Sequence, residues 1–580
     1  MSRLLKLSQL RFYRTGSTAL LQKVSEKAIP TSTDQAFDPN AAETEIKTSD
    51  NVSAFANTNM GKAYNALPMQ AESRLPAADE IRRAASFDEV PGPEVLRKVA
   101  RAWSYVPIVG NHVTARTLQY VLSASKIFGS QLSWGNNMAI FRYLLNEYGP
   151  IVRLHGPFGG DVVILSRAEH ATAVFDSDGP YPVRSSLDCI EKYRLHHRKY
   201  KNAGPFVMHG PKWEKMRQNI EPALKLSVEH QCLRISKTAD EFIERLVAIR
   251  NQQLEVPPTF LTELQKWSIE CLCSITFNKS FGFLDPRGLS ATSDNAVLLN
   301  AITEATGAIK RCEFGFHLWK FVETPAWKKL VLHCDTIDHI LGSNLRKAQQ
   351  SLRERQDKGM VTDEKNISLI DYFLLKESMN SDDILTVLLD MALLGVNMTA
   401  YTAGFLMYHL SRNQRAQHML YSEIKSLPAD LTREHLKDLS YLKACLFESL
   451  RLKPPMPILN RVLNKDVMIY GYKIPKGTFV LIATNLSSLR EEHFEDPLKF
   501  KPERWLGLGN KEMSSVATMP FGHGPKNCIA KELAETQIYY LIVKVLRKFR
   551  IEYHYGDIDS NNKLLSSPSR PLKFRFVERD

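Results

Sequence analysis

The chain has no acidic residue before Glu26 and no uninterrupted apolar run in its first 27 residues. A secretory signal needs an apolar core, and a bilayer span needs about 20 predominantly apolar residues. Neither kind of run is evident there, and no spanning run stands out further along. Residues 1–27 hold instead Arg3, Lys6, Arg11, Arg14 and Lys23, with Leu4, Leu7, Leu10, Leu20 and Leu21 among serines and threonines. That composition predicts a mitochondrial transit peptide, with a basic tail as the bland alternative. Cysteine is sparse, at eight in 580 residues, and no spacing suits structural zinc; Cys271-x-Cys273 alone is too short a signal. The thinly spread thiols imply a reducing compartment. No compact basic run is interleaved with aromatics, which argues against nucleic acid. The formal charge of +13 then points to an acidic protein or an anionic lipid surface.

Large apolar residues are also scarce from 28 to 88, where Ala, Asn, Thr, Ser, Asp and Pro predominate. This segment reads as a linker. Pro91-Gly92-Pro93 stiffens the entry to the rest of the chain, 89–580, which reads as one large catalytic domain. At 44% hydrophobic and 24% charged, the composition is that of an ordinary globular protein.

The pattern beyond residue 137 is mainly helical. A helix ends near Tyr148-Gly149-Pro150, and two β-like runs, 151–154 and 162–165, read as a hairpin. Residues 168–176 and most of 228–375 read as helix. The stretch from Phe314 to Phe321, with Trp327, mixes aromatic and basic residues; it suits a membrane interface or an ordinary packed helix pair. From Ser381 to about Asn413 runs the longest apolar helical pattern, with Ser381, Asp382 and Asp383 as cap and first-turn acids. Tyr441–Leu452 is a helix stopped by Pro454-Pro455, and residues 470–483 read as a hairpin and strand.

The chemistry is concentrated in Phe521-Gly522-His523-Gly524-Pro525-Lys526-Asn527-Cys528-Ile529-Ala530. One cysteine ends a glycine-punctuated loop, and an apolar helical pattern follows at once. A thiolate at a helix N-terminus is favoured by the macrodipole and by free backbone N–H groups. Gly522 and Gly524 allow close backbone approach and unusual dihedrals. A lone cysteine before a helix is ordinarily a small buried hydrophobe, but the full pattern resembles the haem-binding loop of the cytochrome P450 family. Phe521, Gly524, Lys526, Cys528 and Ala530 fill its places, with Lys526 where Arg is usual and Ala530 where Gly is usual.

Other segments resemble that family in the same order along the chain. Trp213 and Arg217 sit at i,i+4 and resemble its propionate-binding pair; Arg461, after Pro457, matches a further propionate contact. Glu448 and Arg451 resemble its buried Glu-x-x-Arg, which joins Arg504 of Phe500-Lys501-Pro502-Glu503-Arg504-Trp505 in a triad steadying the cysteine loop. Leu394-Gly395-Val396-Asn397-Met398-Thr399-Ala400 resembles the centre of the oxygen-side helix, where an acid and an alcohol deliver protons. Here Asn397 and Met398 occupy those places, and neither is a useful proton donor. A distortion near Gly395 would be needed to turn the Thr399 hydroxyl inward.

The resemblance implies a mainly α fold with a small β-sheet region, and haem b bound between the long central helix and the Cys528 helix. Cys528 would be the axial ligand, with Trp213, Arg217, Arg461, Phe521, Gly524 and Lys526 around the cofactor. The implied reaction is insertion of one oxygen atom from O2 into a lipophilic, steroid-like or xenobiotic substrate. The transit-like N-terminus points to the mitochondrial branch, on the matrix side and peripheral to the inner membrane. That branch draws electrons from an acidic [2Fe–2S] ferredoxin and its NADPH reductase. Lys443 matches one docking lysine, while Phe447 replaces the other. Asn397 and Met398 also keep open an isomerase or dehydratase, or a non-catalytic haem protein. Specificity is expected in the loop after Tyr181 and in the helices from 228 to 340, where no motif speaks.

Overall fold

The structure, a computed structural model, describes residues 85–103, 137–155, 161–184, 187–313, 317–359, 367–376, 379–506, 517–562 and 564–579. The transit-peptide expectation and nearly all of the linker lie outside these residues, as do Phe314 and Phe316. The labelled helices that position the site are α1 (Asn137–Tyr148), α2 (Gly210–His230), α3 (Cys232–Ile249), α4 (Phe260–Phe277), α5 (Asp294–Glu313), α6 (Pro325–Asp357), α7 (Ser381–Arg412), α8 (Ser440–Leu452) and α9 (Lys531–Lys548).

The core is built where α3, α4, α7 and α9 meet. Each contributes a continuous buried stripe, including Phe242, Phe260, Trp267, Phe405 and Tyr540, all at most 1% exposed. Phe242 meets the Trp267 ring edge-on at 6.4 Å, the geometry that the ring quadrupole favours. Gly404 of α7 faces Leu572 and Leu264 so closely that a Cβ there would lie 2.8 Å from a Leu572 methyl. A larger residue at this position would make the Leu572 side chain shift. Contrary to the reading that no spanning run occurs along the chain, α7 is long and apolar enough to cross a bilayer, but 72% of its most apolar window is buried inside the protein, as in a core helix. Its cap is Asn380, one residue before the expected Ser381: the Asn380 side chain accepts from the Asp383 N–H at 2.8 Å.

A four-stranded sheet in the order β1-β2-β6-β3 flanks the helices. β1 (Ile151–Leu154) and β2 (Val162–Leu165) pair antiparallel, as the two β-like runs predict. β6 (Phe479–Ile482) adds parallel to β2, and β3 (Leu459–Val462) adds antiparallel to β6. A separate hairpin joins β4 (Val467–Ile469) to β5 (Tyr472–Ile474) through Tyr470 and Gly471, both at positive φ. That is the turn chemistry a tight hairpin needs. The proline-rich entry is strapped onto the sheet. Arg153 N–H donates to Pro91 O, and a Cβ on Gly92 would lie 2.0 Å from Arg153 O. Small pairs β8–β9 (Ser560–Asn562, Ser566–Pro568) and β7–β10 (Phe549–Glu552, Arg575–Glu578) close the C-terminal end.

Candidate haem site

The Cys528 loop is folded by its own backbone. Gly522 and Gly524 take φ of 77° and 67°, a region closed to most side chains. This lets the Cys528 N–H reach back to Phe521 O at 2.7 Å. Residues 524–526 form one 3-10 turn, and α9 starts three residues after the cysteine. Seven of the eight cysteines are buried; Cys528 is exposed. Yet the protein around it desolvates the thiol and pushes its pKa up. A thiol that is both accessible and desolvated faces interior space. The Ala530 N–H and the nearby Arg217 and Arg184 act in the opposite direction and favour a thiolate.

Cations converge on this loop from three elements. From α2, Arg217 donates to Asn527 O at 2.9 Å and to Asn527 Oδ1 at 2.5 Å, and pairs with Glu221 at 3.3 Å. Trp213, one turn earlier and 4% exposed, offers its ring face to the Lys526 ammonium, 3.6 Å from the ring centroid. Lys526 also donates to Met208 O at 2.9 Å. From β3, Arg461 grips the Asp178 carboxylate at 2.8 and 3.0 Å and donates to His523 O at 3.1 Å. Thus Trp213, Arg217, Arg461, Lys526 and Cys528 are brought together, with Arg217 and Arg461 tied to the loop backbone.

Arg184 completes the group and carries no sequence signal. Its guanidinium lies over the Phe206 ring at 4.3 Å and donates to Phe206 O at 3.0 Å. Burial lowers it to about 10, and its charged neighbours include Arg461, Asp390, Cys528 and Arg217. Lys526 is pulled down to about 6 by burial, then by Arg184, Arg461 and Arg217; the Trp213 face opposes this. His209 is pushed down to about 4 by burial with Lys526 and Arg184 beside it. Buried Arg184 Nε and His209 Nδ1 have no protein partner. A desolvated cation cluster with orphaned donors fits a bound dianion. The two propionates of haem supply that charge, and the accessible thiol fits its iron.

A saturated ion network is built on α8. Glu448 and Arg451 of α8 are fully buried. Glu448 accepts from Arg451 at 2.8 and 2.9 Å, from Arg504 at 3.0 Å, from the Lys501 N–H at 3.0 Å and from the Trp505 indole at 2.9 Å. Arg451 spends its remaining donors on Ser488 O, Pro497 O and Lys499 O. The Glu448–Arg451–Arg504 constellation is therefore assembled, with Trp505 as an unforeseen fourth member.

On α7, residues Met391–Gly395 wind as a π turn, closed by the Val396 N–H on Met391 O. A helical distortion thus ends at Gly395. Thr399 follows it and is 8% exposed. Asn397 is turned into a helix junction: its Oδ1 accepts from Gln265 Nε2 of α4 at 2.7 Å, and its Nδ2 donates to Thr306 Oγ1 of α5 at 3.2 Å. One oxygen contact and one N–H contact of the amide thus link α7 to its neighbours, at the position where the resemblance places the acid. Lys443 is half-buried and folds back onto Lys437 O at 2.5 Å. Burial lowers its pKa, while Glu535, Asp438 and Glu423 lie nearby. The Phe447 ring packs on Trp505 at 5.8 Å.

Comparison with known proteins agrees with this geometry. The family model described as "Cytochrome P450" matches residues 123–576. A Drosophila melanogaster relative, "Cytochrome P450 302a1, mitochondrial", is 27% identical over 84% of this chain and 95% of its own. "Probable cytochrome P450 49a1" of the same species is 26% identical over 88% and 86%. The Rattus norvegicus "1,25-dihydroxyvitamin D(3) 24-hydroxylase, mitochondrial" is 28% identical over 75% and 82%. A zebra fish cytochrome P450 structure with progesterone superposes with a TM-score of 0.61 at 20% identity, covering 77% of this chain and all of its own. The chain belongs to the cytochrome P450 family of haem-thiolate monooxygenases, acting on a small molecule with electrons from a redox partner.

Proposed function

We propose that Cys528 is the axial ligand and that Trp213, Arg217, Arg461, Lys526 and Arg184 form the propionate side of the site. The observation that carries this reading is the accessible yet desolvated Cys528 thiol among three guanidiniums and the Lys526 amine. A thiolate-ligated haem supplies dioxygen activation. The chain's own residues do the rest. Gly522 and Gly524 bend the loop, the Ala530 N–H steadies the thiolate, Arg217 and Arg461 fix the loop backbone, and the Glu448 network holds its support. Thr399, beyond the π turn, is the hydroxyl proposed to hold and pass protons on the oxygen side. If this assignment holds, Cys528→Ser abolishes the red-shifted carbonyl-complex band of a reduced haem thiolate; an unchanged band overturns it.

The substrate is lipophilic, steroid-like or xenobiotic, and the electrons come from an acidic [2Fe–2S] ferredoxin with its NADPH reductase. Mitochondrial relatives on both the insect and the rat side support that branch, as does the basic, acid-free start of the chain. On the same reading, the chain is matrix-facing and peripheral to the inner membrane. Trp319 and Trp327 do not serve a membrane surface: they stack at 5.5 Å, 2% and 6% exposed. Leu318, Phe321, Val322 and Leu332 around them are exposed and supply the apolar contact instead. Product formed per NADPH with ferredoxin and reductase present tests the proposal. NADPH-dependent oxygenation is expected; conversion without electron consumption would favour the isomerase reading.

A further inference from the structure

α7 is stitched to α4 and α5 by a chain of three polar side chains that do no chemistry on their own. Gln265 Nε2 donates to Asn397 Oδ1 at 2.7 Å, and Asn397 Nδ2 donates to Thr306 Oγ1 at 3.2 Å. Thr306 Oγ1 donates to Ile302 O at 2.8 Å, with Leu393 O at 3.4 Å from the same hydroxyl. The last acceptor matters most, because Leu393 lies inside the π turn Met391–Gly395. A π turn breaks the ordinary i to i−4 ladder, and such carbonyls need partners from elsewhere.

The observed contacts give the chain a direction. A carbonyl only accepts, and the Thr306 hydroxyl directs its single proton to Ile302 O at 2.8 Å, with Leu393 O a longer shared acceptor at 3.4 Å. Its lone pairs therefore face Asn397, which must present its NH2 group. The Asn397 oxygen is then left for Gln265, which must present its own NH2. An acid at position 397 would reverse the middle link: an ionised carboxylate only accepts, and would draw the Thr306 proton away from the π turn. An amide is the side chain that accepts on one side and donates on the other without carrying charge. Gln265 is 7% exposed and Asn397 is 1% exposed, so water cannot easily take over either link.

We propose that Gln265, Asn397 and Thr306 form a one-way hydrogen-bonded chain that holds the π turn of α7 in place, making Asn397 and Thr306 positioning residues for the oxygen-side helix. This rests on the monooxygenase reading above only for its consequence in turnover. The test uses the haem-loaded full chain. Hydrogen exchange of the backbone amides of residues 391–397 is followed in the resting ferric enzyme, and peroxide released per NADPH is followed under reduction. Thr306→Val and Gln265→Leu are expected to speed exchange in this segment at least tenfold and to raise peroxide release at least twofold. Thr306→Ser, which keeps the hydroxyl, restores both. Asn397→Asp is expected to behave like Thr306→Val in exchange, because it turns the hydroxyl away. Unchanged exchange in both Thr306→Val and Gln265→Leu overturns the proposal. So does faster exchange with peroxide release unaltered, which would reduce the chain to a structural tie. If no redox partner drives NADPH use, the monooxygenase reading fails while the exchange result still decides whether the chain holds the turn.

Discussion

The two sides of the site are held by different physics. On α8, charge is met by charge: Glu448 sits fully buried among two guanidiniums, an indole N–H and a backbone N–H. On α7 the fastening is neutral, an amide between an amide and a hydroxyl. A buried ion pair is strongly destabilising to break, because the surviving partner is left charged and desolvated. A neutral hydrogen bond costs less and can loosen locally without unfolding the domain. Breaking the Glu448 network should therefore cost more than loosening the α7 link.

Removing one member from each side should expose that asymmetry. Glu448→Ala leaves Arg451 and Arg504 buried without a counter-ion, and a loss of about 3–5 kcal/mol is expected. Haem retention and soluble yield should collapse together; a fully haem-loaded Glu448→Ala protein would show that the network is dispensable. Thr399→Ala removes one hydroxyl from the other side. Its effect should fall on chemistry, with peroxide per NADPH rising severalfold and the melting temperature scarcely moved. Unaltered coupling would reject Thr399 as the proton-passing hydroxyl.

The far end of α7 sharpens the contrast through pH. His409 is stacked on Phe500 at 5.0 Å, its Nε2 has no partner, and burial, with Lys453 and Arg451, lowers it to about 3. In the unfolded chain a histidine titrates near 6.5. Between those values the unfolded state binds the extra proton, so stability is lost as pH falls from 6.5 toward 3, by up to about 1.4 kcal/mol per pH unit. His409→Phe keeps the stack and should flatten that acid slope in denaturant titrations; an unchanged slope assigns the acid sensitivity to other groups.

The smallest effect is expected at Lys443. Its ammonium is already committed to Lys437 O and has acidic neighbours. Lys443→Ala should change the apparent ferredoxin KM by less than about twofold, as for an exposed pair of little net worth. A tenfold loss would make it a docking residue of the first importance despite its inward fold.

Legibility followed sequence distance. Cys528, its glycines and Lys526 lie within a few residues of one another, and Glu448 and Arg451 are one turn apart on one helix. Local spacing carries their geometry, and the structure keeps it. The Gln265 and Thr306 partners of Asn397 lie 132 and 91 residues away. No periodicity announces such a meeting, and Asn397 read in isolation looks like a failed acid. Arg184 was hidden for the same reason: it comes from an irregular loop, and only folding sets it near Arg461, Arg217 and Cys528.

What the sequence by itself determined was the mainly helical pattern, the β1–β2 hairpin, the cysteine loop and the residues able to carry its chemistry, because these rest on dihedral preference and near-neighbour spacing. Tertiary structure alone decided which long-range partners each polar group found. It gave Arg461 the Asp178 carboxylate, turned Lys443 inward and made Asn397 a link between helices. Burial penalises each donor and acceptor left without a partner, and only packing brings a partner within reach.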